Sequence, residues 1–191
     1  MDKIRPDTRS AILEAGFVTF SENPSASLAD IASRAGVGRA TLHRHFSSRE
    51  DLMSALALQA MIELNEVVDA ATAGAQSYSE ALKLSLNAII PLGDRQLFLA
   101  SEPVENDPAI AAAHRRDMDE LRHAIEAARG EGLFAPDVPT GWIAQAYEAL
   151  IYAAWTMVRD GDATPRQAAD FAWRTLTSGL TGPTRSAGTK G

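Results

Sequence analysis

The chain has 191 residues and no cysteine, with 46% hydrophobic and 23% charged residues and a formal charge of −7. These values exclude a disulfide scaffold, thiolate zinc sites, a cysteine nucleophile and wholesale disorder, and they allow one large domain or two small ones with a real core. No apolar run approaches the roughly 18 residues of a membrane span, and MDKIRPDTRS has no apolar signal core, so a soluble cytoplasmic protein is expected.

The charge is uneven. Residues 1–49 hold seven Lys+Arg against five Asp+Glu, with His43 and His45 in addition, whereas residues 50–191 hold eleven against twenty. A small basic segment therefore precedes an acidic body, and the local sign matters more for partners than the total.

The fold class read from the pattern is all-α. Alanine and leucine dominate, β-branched runs are absent, and no stretch alternates with period two for long enough to make a strand. Ile12, Leu13, Gly16, Phe17 and Phe20 recur at three- and four-residue spacing and predict a first helix from about Thr8 to Glu22. Asn23, expected in a left-handed cap, and Pro24 end it. Ser27 with Asp30 is an N-cap pair opening a short helix to about Ala35. Gly36 turns the chain, and a second short helix runs from about Gly38 to Phe46. Ser48 with Asp51 repeats the cap signature and opens a long helix with the apolar stripe Met53, Leu56, Ala60, Leu64 and Val67.

Past the loop ATAGAQS, Tyr78 to Leu92 reads as helix, ended by Pro91 and Gly93. A short segment, Asp94 to Ser101, leads into the breaker-rich EPVENDP. Pro108 then sits where a first-turn proline is tolerated, and its helix reaches about Arg129. Trp142 to Arg159 is the next helix, and Thr164 caps a last one with Pro165 first, ending near Gly179. The tail 181–191 reads as disordered. The total is about nine helices.

Residues 27–46, SLADIASRAGVGRATLHRHF, carry the chemistry. A capped short helix, a glycine turn and a second short helix have helix-turn-helix spacing. Ile31, Ala32, Val37 and Leu42 are the inward set, with Ala32 small because the second helix passes close. Gly36 takes a backbone conformation that costs other residues. Arg39, Ala40, Thr41, His43 and Arg44 are then left pointing outward, none of them a large aliphatic. A major groove admits one such helix, whose N-terminal residues reach base edges. A solvated helix pair on a bundle would lack this agreement of caps, glycine, inward and outward sets.

The pattern GFVTFSE…SLADIASRAGVGRATLHRHFSSREDLMSAL resembles the N-terminal domain of the TetR/AcrR transcriptional repressors, in motif detail over roughly residues 8–57 and beyond them in helix count and lengths. The resemblance implies a DNA-binding domain at 1–47 and a larger ligand-binding and dimerisation domain at 48–180. It places Arg39, Ala40 and His43 where the family reads bases, and Ser27, Thr41, Arg44, His45 and Arg49 near phosphates. His43 stands where the family usually has tyrosine; imidazole is shorter and its charge depends on pH. Asn23 stands where glycine is more usual. The chemistry agrees: Arg39 can fork onto guanine, Ala40 can meet a thymine methyl, and Thr41, Arg44 and Arg49 offer donors to phosphate oxygens. Glu50 and Asp51 should point away from DNA.

Other sites are weaker. His43 and His45 splay apart on a helix, His114 and His123 have no third ligand nearby, and no nucleophile elbow or phosphate-cradling glycine loop occurs. No metal, cofactor or catalytic residue is expected. Behind the head, Trp142 to Arg159 is apolar on nearly every side (Ile143, Ala146, Tyr147, Leu150, Ile151, Tyr152, Ala154, Trp155, Val158) and must be covered all round. By resemblance this helix and the last one, with Phe171 and Trp173, pair with a second copy. Glu148 is an acid inside that run, suited to a ligand's cationic group or to an arginine across the interface. Met61, Phe98, Met118, Tyr147, Glu148, Tyr152 and Trp155 are the candidate pocket walls. The reading is a homodimeric regulator, a repressor released from a near-palindromic operator by a small molecule; the alternatives are an all-α enzyme or a protein-interaction module using the short helices.

Overall fold

The computed structural model describes residues 7–101 and 107–178; the tail 181–191 lies outside them. Every regular element among the described residues is helical: α1 Thr8–Glu22, α2 Leu28–Arg34, α3 Arg39–His45, α4 Arg49–Thr72, α5 Tyr78–Ile89, a 3-10 turn Ile90–Leu92, α6 Gly93–Ser101, α7 Pro108–Gly130, α8 Thr140–Arg159 and α9 Pro165–Ser178. Two compact units result. Of the described residues, the first takes in those up to Val67 together with Leu92–Ser101 and Asp107–Asp117; the second takes in Val68–Pro91 and Met118–Ser178.

In the first unit, α1 starts because the Asp7 carboxylate accepts from the Ser10 N–H at 2.7 Å. It ends differently from the expectation at Asn23. That residue is extended (φ −147°), since its side-chain oxygen accepts from the Ser25 N–H at 3.1 Å and the Ser25 hydroxyl at 2.8 Å, a local turn that needs no left-handed backbone. Ile12, Leu13, Phe17 and Phe20 point inward with Ile31, Leu42, Phe46, Leu52, Leu56, Ala60, Met61, Phe98 and Ile110. Gly16 lets α1 approach α4: a Cβ there would meet both Leu56 methyl carbons at 3.1 Å. Phe98 of α6 stands edge-on to Phe17, with ring centroids 5.8 Å apart, and each such buried ring contributes roughly 1.5–3 kcal/mol.

Charge as well as apolar surface ties α6 into this unit. The Arg95 side chain, 11% exposed, donates from Nε to Glu63 at 2.8 Å and from its terminal nitrogens to Asp94 and Glu14, and its guanidinium lies 4.4 Å from the centroid of the Phe17 ring. Burial by itself would lower the pKa of this guanidinium. The bond to Glu63 and the charges of Asp94, Glu14 and Glu63 outweigh burial and raise it.

The second unit packs Leu82, Leu86, Ile90, Ile125, Ala128, Phe134, Ile143, Tyr147, Ile151, Ala154, Ala168 and Ala172 together. α5 does not stop at Pro91 by breaking helical conformation. The chain tightens into the 3-10 turn that contains Pro91 and resumes as α6 at Gly93, because proline's missing donor is harmless where the chain re-registers. α9 begins with reciprocal bonds: the Thr164 hydroxyl accepts from the Gln167 N–H at 3.3 Å, and the Gln167 amide oxygen accepts from the Thr164 N–H at 3.0 Å. Among the described residues, coverage of α8 is one-sided. Ile143, Ala144, Tyr147, Ile151, Ala154 and Trp155 are buried, but Trp142 is 70% exposed and Tyr152 49%, as is Phe171 of α9 at 44%.

Candidate nucleic-acid interface

α2 is fixed by its cap. The Ser27 hydroxyl accepts from the Asp30 N–H at 3.3 Å, and the Asp30 carboxylate accepts from the Ser27 N–H at 2.8 Å and the Ser27 hydroxyl at 2.7 Å. Those bonds hold the Asp30 carboxyl below the usual carboxylate range, with a smaller contribution from the charge of Arg39. Ile31 and Ala32 are buried beneath. The chain turns at Gly36 (φ +68°), and the Val37 N–H bonds the Ala32 carbonyl at 3.0 Å, closing the helix end while Val37 lies half-buried.

α3 starts at Gly38, whose carbonyl accepts from the N–H groups of Thr41 and Leu42 at 2.9 and 3.0 Å. Of its seven residues only Leu42 is buried, at 1% exposure; Phe46, the residue that ends it, is buried equally. Two apolar anchors at a four-residue spacing therefore pin one side of the helix. Arg39, Ala40, His43, Arg44 and His45 are exposed on the rest, and Thr41 is half-buried with its hydroxyl accepting from Arg44 at 3.0 Å. No acidic residue occurs in α3.

The flanking acids are turned back into caps. Asp51 of α4 accepts from the Ser47 N–H at 2.8 Å and the Ser47 hydroxyl at 3.1 Å, while the Ser48 hydroxyl accepts from the Asp51 N–H at 3.1 Å. Bonds from its own N–H and from the Ser48 hydroxyl hold the Glu50 carboxyl below its usual range. Arg49, which the resemblance places near phosphates, also has partners within the frame. It is half-buried, donates to the carbonyl oxygens of Pro24 (2.8 Å) and Ala26, and lies 4.6 Å from the centroid of the Phe20 ring. Its donors brace the α1–α2 connection. Ser27 is exposed, with its hydroxyl engaged in the α2 cap.

A helix pair in this arrangement, with one basic and acid-free face, suits the edge of a nucleic-acid duplex. The family described as bacterial regulatory proteins, tetR family, matches residues 12–56, which span this whole frame. The HTH-type transcriptional repressor LfrR of Mycolicibacterium smegmatis is 34% identical over 178 residues, covering 92% of either chain. This chain belongs to the TetR family. The HTH-type transcriptional regulator NfxB of Pseudomonas aeruginosa is 26% identical over 179 residues, 92% of this chain and 95% of that protein. The crystal structure of LfrR from Mycobacterium smegmatis in complex with proflavine superposes with a TM-score of 0.79 at 31% identity, covering 92% of this chain and 97% of that one. The fold is TetR-like and the chain, like these relatives, is a DNA-binding transcriptional regulator and not an enzyme.

The expected pocket residues of this TetR-family chain are divided between the units. Met61 and Phe98 are core side chains of the first. Met118 and Tyr147 belong to the core of the second, where the Tyr147 hydroxyl donates to the Leu82 carbonyl at 2.8 Å and burial pushes the phenol well above its ordinary value. Trp155 is buried with its ring 6.5 Å from that of the half-exposed Tyr152 and 5.2 Å from the Arg159 guanidinium. Glu148 is half-buried and accepts from the Gln145 amide at 3.2 Å. Reasoning from sequence missed Arg95 entirely, because its carboxylate partners on α1 and α4 lie 81 and 32 residues away. Among the described residues no group of three or more His, Cys, Asp or Glu is placed to hold a metal ion, and no helix is long and apolar enough to cross a membrane.

Proposed function

We propose that the chain is a homodimeric repressor that lays residues 38–46 in the major groove of a near-palindromic operator and is released by a small molecule. One observation carries the reading: α3 buries Leu42 alone and turns Arg39, Ala40, His43 and Arg44 outward from a capped, acid-free frame. Arg39, Ala40 and His43 read base edges; Thr41, Arg44, His45 and Ser27 meet phosphates; Arg49 acts by holding the connection that carries Ser27. The DNA-binding part is residues 1–47 and the ligand-binding and dimerising part 48–180, at work in the cytoplasm.

Dimerisation through α8 and α9 is supported by Trp142, Tyr152 and Phe171, large apolar side chains that the described residues leave exposed. Two recognition helices related by a two-fold axis then enter successive major grooves about 34–36 Å apart. The effector proposed is a planar aromatic cation, the class of the proflavine bound to LfrR. Residues 50–191 carry twenty acids against eleven bases, and α8 carries the half-buried Glu148 on the same helix as Tyr147 and Trp155, a carboxylate and aromatic side chains of the kind such a cation needs. Whatever lowers DNA affinity on binding must be weakened equally by DNA.

The test is a mobility-shift titration on DNA from upstream of the chain's own gene, with and without proflavine. The parent should bind that duplex more tightly than a mixed-sequence one and let go when proflavine is added. Arg39→Ala should fold and dimerise normally but treat the two duplexes alike. Equal operator affinity for parent and Arg39→Ala would remove α3 as the base-reading helix, and a protein partner sensitive to Arg39→Ala instead would make the short helices a protein-interaction module.

A further inference from the structure

Arginines of the first unit divide by what holds them. Arg34 pairs with Glu22, Arg49 donates to two carbonyl oxygens, and Arg95 is ringed by Glu14, Glu63 and Asp94. These three brace the frame. Arg9 is different: it sits exposed in the first turn of α1 and, among the described residues, makes no ion pair. The nearest acid in sequence, Asp7, caps α1 through the Ser10 N–H; the Ser10 bonds chiefly hold its carboxyl below the usual range, with smaller contributions from the Arg9 N–H and charge.

What holds Arg9 is a ring. Its guanidinium carbon lies 5.4 Å from the centroid of Phe46. Phe46 is 1% exposed, ends α3, and donates its N–H to the Leu42 carbonyl at 2.9 Å, so the ring is fixed to the same backbone that carries the outward residues. The His45 ring lies 6.5 Å from the same phenyl group. A guanidinium resting on a ring face is restrained in position while its N–H donors, which lie in its own plane, stay unused. A pre-positioned cation whose donors make no hydrogen bond among the described residues, at the C-terminal end of α3, is matched to phosphate oxygens, since base edges are reached from the N-terminal end.

We propose that Arg9 is a further phosphate-contacting residue, a fixed cation that grips the duplex backbone beside the end of α3. The proposal rests on the DNA-binding reading given above. It assigns to α1 a direct part in binding, in addition to its part in the core.

The experiment compares full-length parent, Arg9→Gln and Arg9→Lys on the upstream duplex and on a mixed-sequence duplex, across about 50 to 200 mM salt, with melting temperatures measured alongside. Arg9→Gln should weaken both duplexes by the same factor and make the slope of log affinity against log salt shallower by about 0.9, the share of one phosphate; Arg9→Lys should keep the parent slope. Parent-like affinity and slope in Arg9→Gln would overturn the proposal. So would weaker binding at an unchanged slope with a lower melting temperature, which would make Arg9 only a cover for Phe46, and so would a loss confined to the upstream duplex, which would make it a base reader. If the parent itself shows no salt-sensitive affinity for either duplex, the DNA-binding reading fails first and the role of Arg9 falls with it.

Discussion

Helices α3 and α8 solve the problem of seating a helix in opposite ways. α3 has seven residues and anchors itself with Leu42 and the adjoining Phe46 alone; its position comes from the Ser27–Asp30 cap, the turn at Gly36 and the bracing by Arg49. α8 has twenty residues and buries Ile143, Ala144, Tyr147, Ile151, Ala154 and Trp155, seating itself by apolar area. The contrast separates two kinds of residue. Where a helix is held by its surroundings, its own side chains are released for recognition; where it is held by its own burial, substitution is read first as stability.

The largest expected effect tests the frame. Phe17→Ala removes a fully buried ring that touches Phe98 and the Arg95 guanidinium, and it should lower unfolding free energy by about 3–5 kcal/mol in urea titrations. A loss below about 1 kcal/mol would show that the first unit repacks freely and does not hold α3 rigidly. Arg39→Ala sharpens the other side of the comparison: discrimination between duplexes should fall by about 1–3 kcal/mol while the urea midpoint stays unchanged. A shifted midpoint would place Arg39 in the frame.

Smaller effects follow from single backbone and cap positions. Gly36→Ala meets no atom within 4 Å, so its cost is conformational, from forcing φ +68° on a residue with a Cβ, and should be about 1 kcal/mol of stability. The smallest effect lies in the second unit. Glu131 accepts from the Ser79 hydroxyl at 2.6 Å and from the N–H groups of Ser79 and Tyr78 at 2.9 and 2.8 Å, and these bonds hold its carboxyl below the ordinary value of 4.5. A folded-state value below the unfolded one means the stabilisation is complete above about 4.5 and fades as pH falls through the folded value. Glu131→Gln should therefore be slightly less stable than the parent near neutral pH and indistinguishable in acid; a gap that persists in acid would assign the effect to shape and not to charge.

Local devices were the most legible part of the sequence. The caps at Ser27, Ser48 and Thr164 involve residues three apart, and the positive φ of Gly36 follows from a turn too tight for other residues, so neighbours alone decide them. Of α3's outward set, Arg39, Ala40, His43 and Arg44 were legible for the same reason, since Leu42 marked the inward side, whereas Thr41 is half-buried against the expectation. What depends on distant chain was hidden. The Arg95 cluster draws on α1, α4 and α6, and Arg49's partners come from 23 and 25 residues upstream. Met61 and Phe98 read from the sequence as candidate pocket walls and are core side chains of the first unit, because apolar identity carries no information about which unit buries a side chain or whether a pocket opens beside it. Asn23 shows the limit at short range: two conformations end a helix there, and the side-chain bonds to Ser25, which spacing does not encode, choose between them.

The exposure of Trp142 has an optical consequence. Trp142 is 70% exposed, while Trp155 is 6% exposed and lies against Tyr152 and Arg159, so these two of the chain's three indoles report different surroundings, with the half-buried Trp173 intermediate in exposure. Iodide should quench the first and spare the second. If a second copy covers α8, concentrating the sample should shift the emission to shorter wavelength and shield the quenchable fraction, giving a label-free gauge of association at the concentrations where the regulator works.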